Sequence, residues 1–103
     1  MGCEVRLAAE AEADRDAIAS YLLGEAEAPH AARHFFDELD RLVESISLVP
    51  EACPLSQDER LARLGYRKAP FMSYVLLYRY DNRLGVAYVT NIFHQRQDYA
   101  RLM

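Results

Sequence analysis

The sequence predicts an α+β fold: a helix hairpin packed on one face of a small antiparallel sheet. Three observations lead there. Apolar residues recur at helical spacing through the first half of the chain. They alternate or run together as strands in the second half. The changeover falls in a connector punctuated by prolines. Helices segregated from three consecutive strands define the α+β class. The expected order is β-α-α-β-β-β, with a short C-terminal helix possible. The 103 residues fit a single domain, 1–103, with one core.

The first strand is "CEVRLA", which alternates. "AEAEADRDAIASYLLGEAEA" follows, rich in helix formers, with Ile18, Tyr21 and Leu22 at i, i+3, i+4. It lacks a good N-cap residue, and Gly24 and Pro29 punctuate its end. Pro29 suits the first turn of a second helix. There Ala32, Phe35, Leu39, Leu42 and Ile46 form a stripe that Phe36 and Val43 widen. The short link predicts an antiparallel pair. Pro50 stops the second helix, and "PEACPLSQDERLARLG" reads as an irregular connector.

Then the period changes. "YRKAPF" is a strand whose Pro70 confines it to a sheet edge or to the strand's end. "SYVLLYRY" is a strong strand, "DNR" a turn and "LGVAYVTNIFH" the last strand. These three should form a meander. The stripe Phe35, Leu39, Leu42 and Ile46 is expected to bury against Val75, Leu77 and their neighbours. "QRQDYARLM" has room for one or two helical turns.

Composition narrows the function. Half of the residues are hydrophobic and none lie in low-complexity runs, which predicts a globular chain. No apolar run is long enough to span a membrane, and the N-terminus lacks the basic and apolar regions of a secretory signal. "MGC" resembles an acylation site, but Arg6 stands where Ser or Thr is required. Cys3 and Cys53 lack metal-ligand spacing and read as reduced thiols of a cytoplasmic protein. The net charge of −4 is divided unevenly. Residues 1–59 carry 14 acids against four arginines, whereas eight bases oppose two acids from Arg60 onward. Such asymmetry suggests a face that meets an anionic partner. Neutralisation of acidic helices by a basic sheet explains it equally well.

Several chemistries find no support. His30 and His34 lie at i, i+4, but no third ligand is in register, so they read as solvated helix residues. Neither cysteine lies near a histidine, and the glycines form no phosphate loop or nucleophile elbow. No metal and no cofactor are expected. The basic half remains. Arg67 and Lys68 share one strand, Arg79 lies on the next, and His94 ends the last, with Arg96, Tyr99 and Arg101 beyond. Antiparallel pairing is expected to bring Arg67 and Arg79 toward His94. A histidine or tyrosine moving a proton, beside arginines holding a phosphate, is the composition of a metal-free RNA-cleaving site. It is also that of a docking surface for an acidic peptide. Taken singly, Tyr74, Tyr78, Tyr80 and Tyr88 read as sheet core or surface.

The ordered set of motifs resembles the RelE/ParE superfamily of type II toxin–antitoxin toxins, over nearly the whole chain. "YRKAPFMSYVLLYRYDNRLGVAYVTNIFHQRQDY" is similar to the family's tyrosine–arginine strand, its "YvvfYrv"-like central strand, and its final strand with a histidine–x–arginine–x–aspartate turn. "EADRDAIASYL" resembles its first helix. The resemblance implies a growth-arresting, plasmid-stabilising toxin that forms a hetero-oligomer with a cognate antitoxin. RelE-like members cut messenger RNA on the ribosome without a metal; ParE-like members inhibit DNA gyrase and are not enzymes. The RNA-cleaving branch carries an arginine on the central strand, where "SYVLLY" has Val75, and is strongly basic, as an RNA surface requires. Both departures favour the ParE-like branch. His94, Arg96 and Tyr99 resemble residues that RelE-like enzymes use, and would be catalytic only in that reading. In the ParE-like reading, Arg67, Lys68, Arg79, His94, Arg96, Tyr99 and Arg101 contact the target or the antitoxin. A third reading is a degenerate, non-toxic member that only binds its antitoxin.

Overall fold

A computed structural model describes residues 2–103. The elements are β1 (Glu4–Leu7), α1 (Ala9–Leu23), α2 (Pro29–Leu48), α3 (Glu59–Arg63), β2 (Tyr66–Phe71), β3 (Tyr74–Asp81), β4 (Val86–His94) and α4 (Tyr99–Leu102). The strands form one sheet in the order β1-β4-β3-β2. β1 runs parallel to β4, and the other pairings are antiparallel. The α+β architecture, the helix pair and the meander stand as the residue pattern predicts. No helix among the described residues is long and apolar enough to cross a membrane.

α1 buries only the small residues Ala11 and Ala19, which lets its backbone lie close to the sheet. Ile18 and Leu22 pack against the core, but Tyr21 is 55% exposed and lies outside the buried stripe. No side chain caps its N-terminus. α2 starts with Pro29 in its first turn and buries Ala32, Phe35, Leu39 and Ile46. Their partners on the sheet are Ala69, Phe71, Leu76, Tyr78, Ala87, Val89 and Ile92.

That set corrects the expected packing. Leu76 and Tyr78 face α2, so strand alternation turns Val75 and Leu77 to the opposite face. Both are nonetheless fully buried. The connector explains how. It is not wholly irregular: Asp58 accepts a bond from Leu61 N–H at 2.9 Å and starts α3, whose Leu61 is buried. Arg60 of α3 donates to the Ala100 carbonyl of α4 at 2.7 Å. Tyr99 of α4 stacks on Phe93, which pairs with Val75. The two short helices therefore cover part of the second face.

β1 is the edge strand on one side. Where β4 runs on beyond it, the Ile92 N–H donates to Asp14 of α1 at 2.9 Å and the His94 N–H to Gln97 Oε1 at 2.8 Å. On the other side β2 is the edge strand, as Pro70 predicts. Residues 54–56 bond alongside it through Ser56 N–H to Tyr66 O and Lys68 N–H to Pro54 O. Pro70 offers no donor further along.

Candidate functional site

The C-terminal candidates gather where β4 ends, and the sheet divides them. His94 pairs with Tyr74, and the two rings meet edge to face at 5.8 Å. Tyr74 in turn packs on Phe35 of α2, so His94 lies on the helix-bearing face. Asp14, Ile18, Tyr21, Tyr74 and Gln97 line an open groove of about 480 Å³ with it. Burial, aided by the neighbouring Tyr21, raises the Tyr74 phenol above its ordinary pKa. His94 Nδ1 accepts from the Arg96 N–H at 3.1 Å.

Tyr99 is on the other face. Its ring stacks on Phe93 at 6.0 Å, and it shares a cleft of about 310 Å³ with Lys68, Pro70, Val75 and Gln95. The turn of residues 95–98 thus carries the chain around the end of the sheet, placing His94 and Tyr99 on opposite sides. Arg96 is exposed on that turn, and Arg101 is exposed on α4.

Arg67 and Arg79 do not approach His94. Arg67 pairs with Tyr78 and turns toward the connector, donating to the carbonyls of Cys53 at 2.7 Å and Glu51 at 3.3 Å. Its side chain is only 20% exposed, so it ties the connector to the sheet. Arg79 lies over the Tyr66 ring at 5.3 Å. It stands five positions along β3 from Tyr74, roughly 16 Å from the His94 end. Lys68 alone of the three shares a cleft with a C-terminal candidate. Asp14, Tyr21 and Tyr74, which line the His94 groove, carry no sequence signal for that role, because only the strand register brings them there.

No cluster of three or more His, Cys, Asp or Glu residues suited to a metal ion is found among the described residues. What the site offers is two shallow clefts of mixed aromatic and polar character, back to back at one end of the sheet.

This architecture, a helix hairpin on a four-stranded sheet with a short last helix, is shared with chains of solved toxin–antitoxin complexes. The chain is similar in fold to a chain of the chromosomal ParDE toxin–antitoxin system from P. aeruginosa, with a TM-score of 0.67 and 18% identity over 89% of this chain and 95% of that one. It is also similar to a chain of the RelBE2 toxin–antitoxin complex from Mycobacterium tuberculosis, with a TM-score of 0.54 and 17% identity over 91% of this chain and 99% of that one. No curated protein sequence matches. Residues 5–99 match the family of the ParE toxin of the type II toxin–antitoxin system parDE, and the chain belongs to that family.

Proposed function

We propose that this chain arrests growth by docking on DNA gyrase, without catalysis of its own, and that a cognate antitoxin holds it inactive. The observation that carries this reading is the separation of His94 from Tyr99. A proton donor and a proton acceptor working on one phosphate must both reach it within hydrogen-bond distance. Side chains on opposite faces of a sheet do not. Val75 adds support: it lines the Tyr99 cleft where the RNA-cleaving branch carries an arginine, so the bidentate grip of that guanidinium on a phosphate is absent and Lys68 is the cleft's one cation. The ParE family match and the fold shared with chains of ParDE and RelBE2 complexes support the antitoxin partner.

One observation favours the RNA-cleaving alternative: Lys68 and Tyr99 line the same cleft. Two assays run in parallel separate the readings. The purified chain is expected to inhibit gyrase supercoiling and to leave ribosome-bound messenger RNA intact. Ribosome-dependent cleavage with unimpaired supercoiling would reverse the assignment. The docking surface in this reading comprises Lys68, His94, Arg96, Tyr99 and Arg101, all at the β4 end of the molecule.

A further inference from the structure

The opposite end of the sheet carries a second, unassigned surface. The register places Arg6 of β1 beside Tyr88 of β4, Tyr88 beside Arg79 of β3, and Arg79 beside Tyr66 of β2. Partners in register share a face. Arginine and tyrosine therefore alternate in one row across all four strands, on the face turned away from α1 and α2. A cleft of about 450 Å³ opens beside the row, lined by Arg79, Tyr80, Asp81, Asn82, Arg83, Tyr88 and Thr90. That volume lies in the range of pockets for small organic ligands.

We propose that this row is a platform for single-stranded nucleic acid, with a base stacking on Tyr88 and phosphates held by Arg83 and by Arg79, whose guanidinium rests over Tyr66. Tyr66 and Tyr88 lie two strands apart, roughly 10 Å, with a guanidinium between them. Alternating π-faces and cations are what sequence-tolerant single-strand binding uses. The charge fits as well. Two carboxylates lie nearby, and both are engaged. Glu4 is ion-paired with Arg6, and Asp81 Oδ1 accepts the backbone N–H groups of Arg83 and Leu84. Among the described residues Arg79 and Arg83 have no carboxylate partner within ion-pair distance.

The surroundings disfavour a peptide. No residue lining the cleft is aliphatic, whereas protein partners need apolar anchors at the centre of an interface. The β2 edge beside the row is occupied by residues 54–56, which leaves no free run of backbone groups for an added strand there. A duplex hides the base faces that Tyr88 would meet. The surface is distinct from the β4-end clefts.

The test is fluorescence anisotropy of a labelled oligothymidine strand with the purified chain alone, against a duplex of equal length and against polyglutamate as competitor. The single strand is expected to bind more tightly than the duplex, with an affinity that falls as salt rises, about 0.7 in log–log slope per phosphate contact. Tyr88→Ala should weaken binding roughly 5- to 150-fold, and Tyr88→Phe should retain it. Should Tyr88→Ala melt early, Arg83→Ala on the exposed turn carries the test, with a shallower salt slope expected. Absence of single-strand binding, wild-type affinity in a folded Tyr88→Ala chain, an unchanged slope in Arg83→Ala, or equal displacement by polyglutamate would overturn the proposal. The assay contains neither gyrase nor antitoxin, so its failure leaves the toxin reading intact.

Discussion

Tyr78 fastens the two halves of the chain together. It lies in the middle of β3, fully buried, and its hydroxyl donates to the Pro50 carbonyl just beyond α2 at 2.7 Å. Tyr78→Phe keeps the ring but leaves a buried carbonyl unpaired, which should cost about 1–3 kcal/mol in denaturant melts. Burial, and then the neighbouring Cys53, push the Tyr78 phenol well above its ordinary pKa. An unfolded tyrosine ionises near pH ~10, while the folded one keeps its proton. The folded state then binds more protons than the unfolded state, so stability is lost as pH rises past that value. The stability of the wild type should fall faster above that pH than that of Tyr78→Phe; parallel curves would contradict the burial of this hydroxyl. Arg67 is the second residue whose role the packing decides. Its guanidinium bonds two connector carbonyls, so Arg67→Ala should lower stability by about 1–3 kcal/mol. Unchanged thermal unfolding, with loss of partner binding instead, would return Arg67 to the docking surface.

Among the elements, β3 shows why part of the packing was not legible in the residues. Tyr74, Val75, Leu76, Leu77 and Tyr78 are all large and apolar or aromatic. A strand covered on both faces shows no alternation, so nothing in it says which side meets the helices. The shift in register between Leu77 and Tyr78 adds a local break in the pairing with β4. By contrast α2 was readable, because its Phe35, Leu39 and Ile46 stripe repeats at helical spacing with charges opposite. α3 carries only a faint sequence signal: Asp58 precedes "ERLAR", a capping residue before a run of helix formers with Glu59 and Arg63 at i, i+4. The helix hairpin itself should respond as a packed core element. Leu39→Ala is expected to cost roughly 2–5 kcal/mol in denaturant melts. A loss well under ~1 kcal/mol would mean that α2 is not seated on Leu76 and Tyr78.

At the scale of the whole molecule, the charge division acquires a place. The acids of residues 1–59 lie mainly on the helices that cover one face, while the strand arginines Arg6 and Arg79 share the other. Position along the chain announced this asymmetry, and the existence of a C-terminal cluster was equally plain. What the chain order hid was that the turn of residues 95–98 passes around the sheet's end. Of four neighbouring candidates in sequence, His94 and Tyr99 come to line separate clefts, while Arg96 and Arg101 stay exposed beside them. That division bears most directly on function, because His94 and Tyr99 acting as an acid–base pair on one phosphate would have to lie together, and docking makes no such demand. The decisive measurement is growth arrest on induction of a His94→Gln/Tyr99→Phe double variant, with folding verified by its melting curve. Both changes keep size and shape while removing the titrating imidazole and the phenolic hydroxyl. A docking toxin should arrest growth nearly as the wild type does, within about tenfold of the inducer dose, well short of the 10²–10⁴-fold that proton transfer typically contributes. A well-folded double variant with no toxicity, alongside ribosome-dependent cleavage by the wild type, would contradict the account.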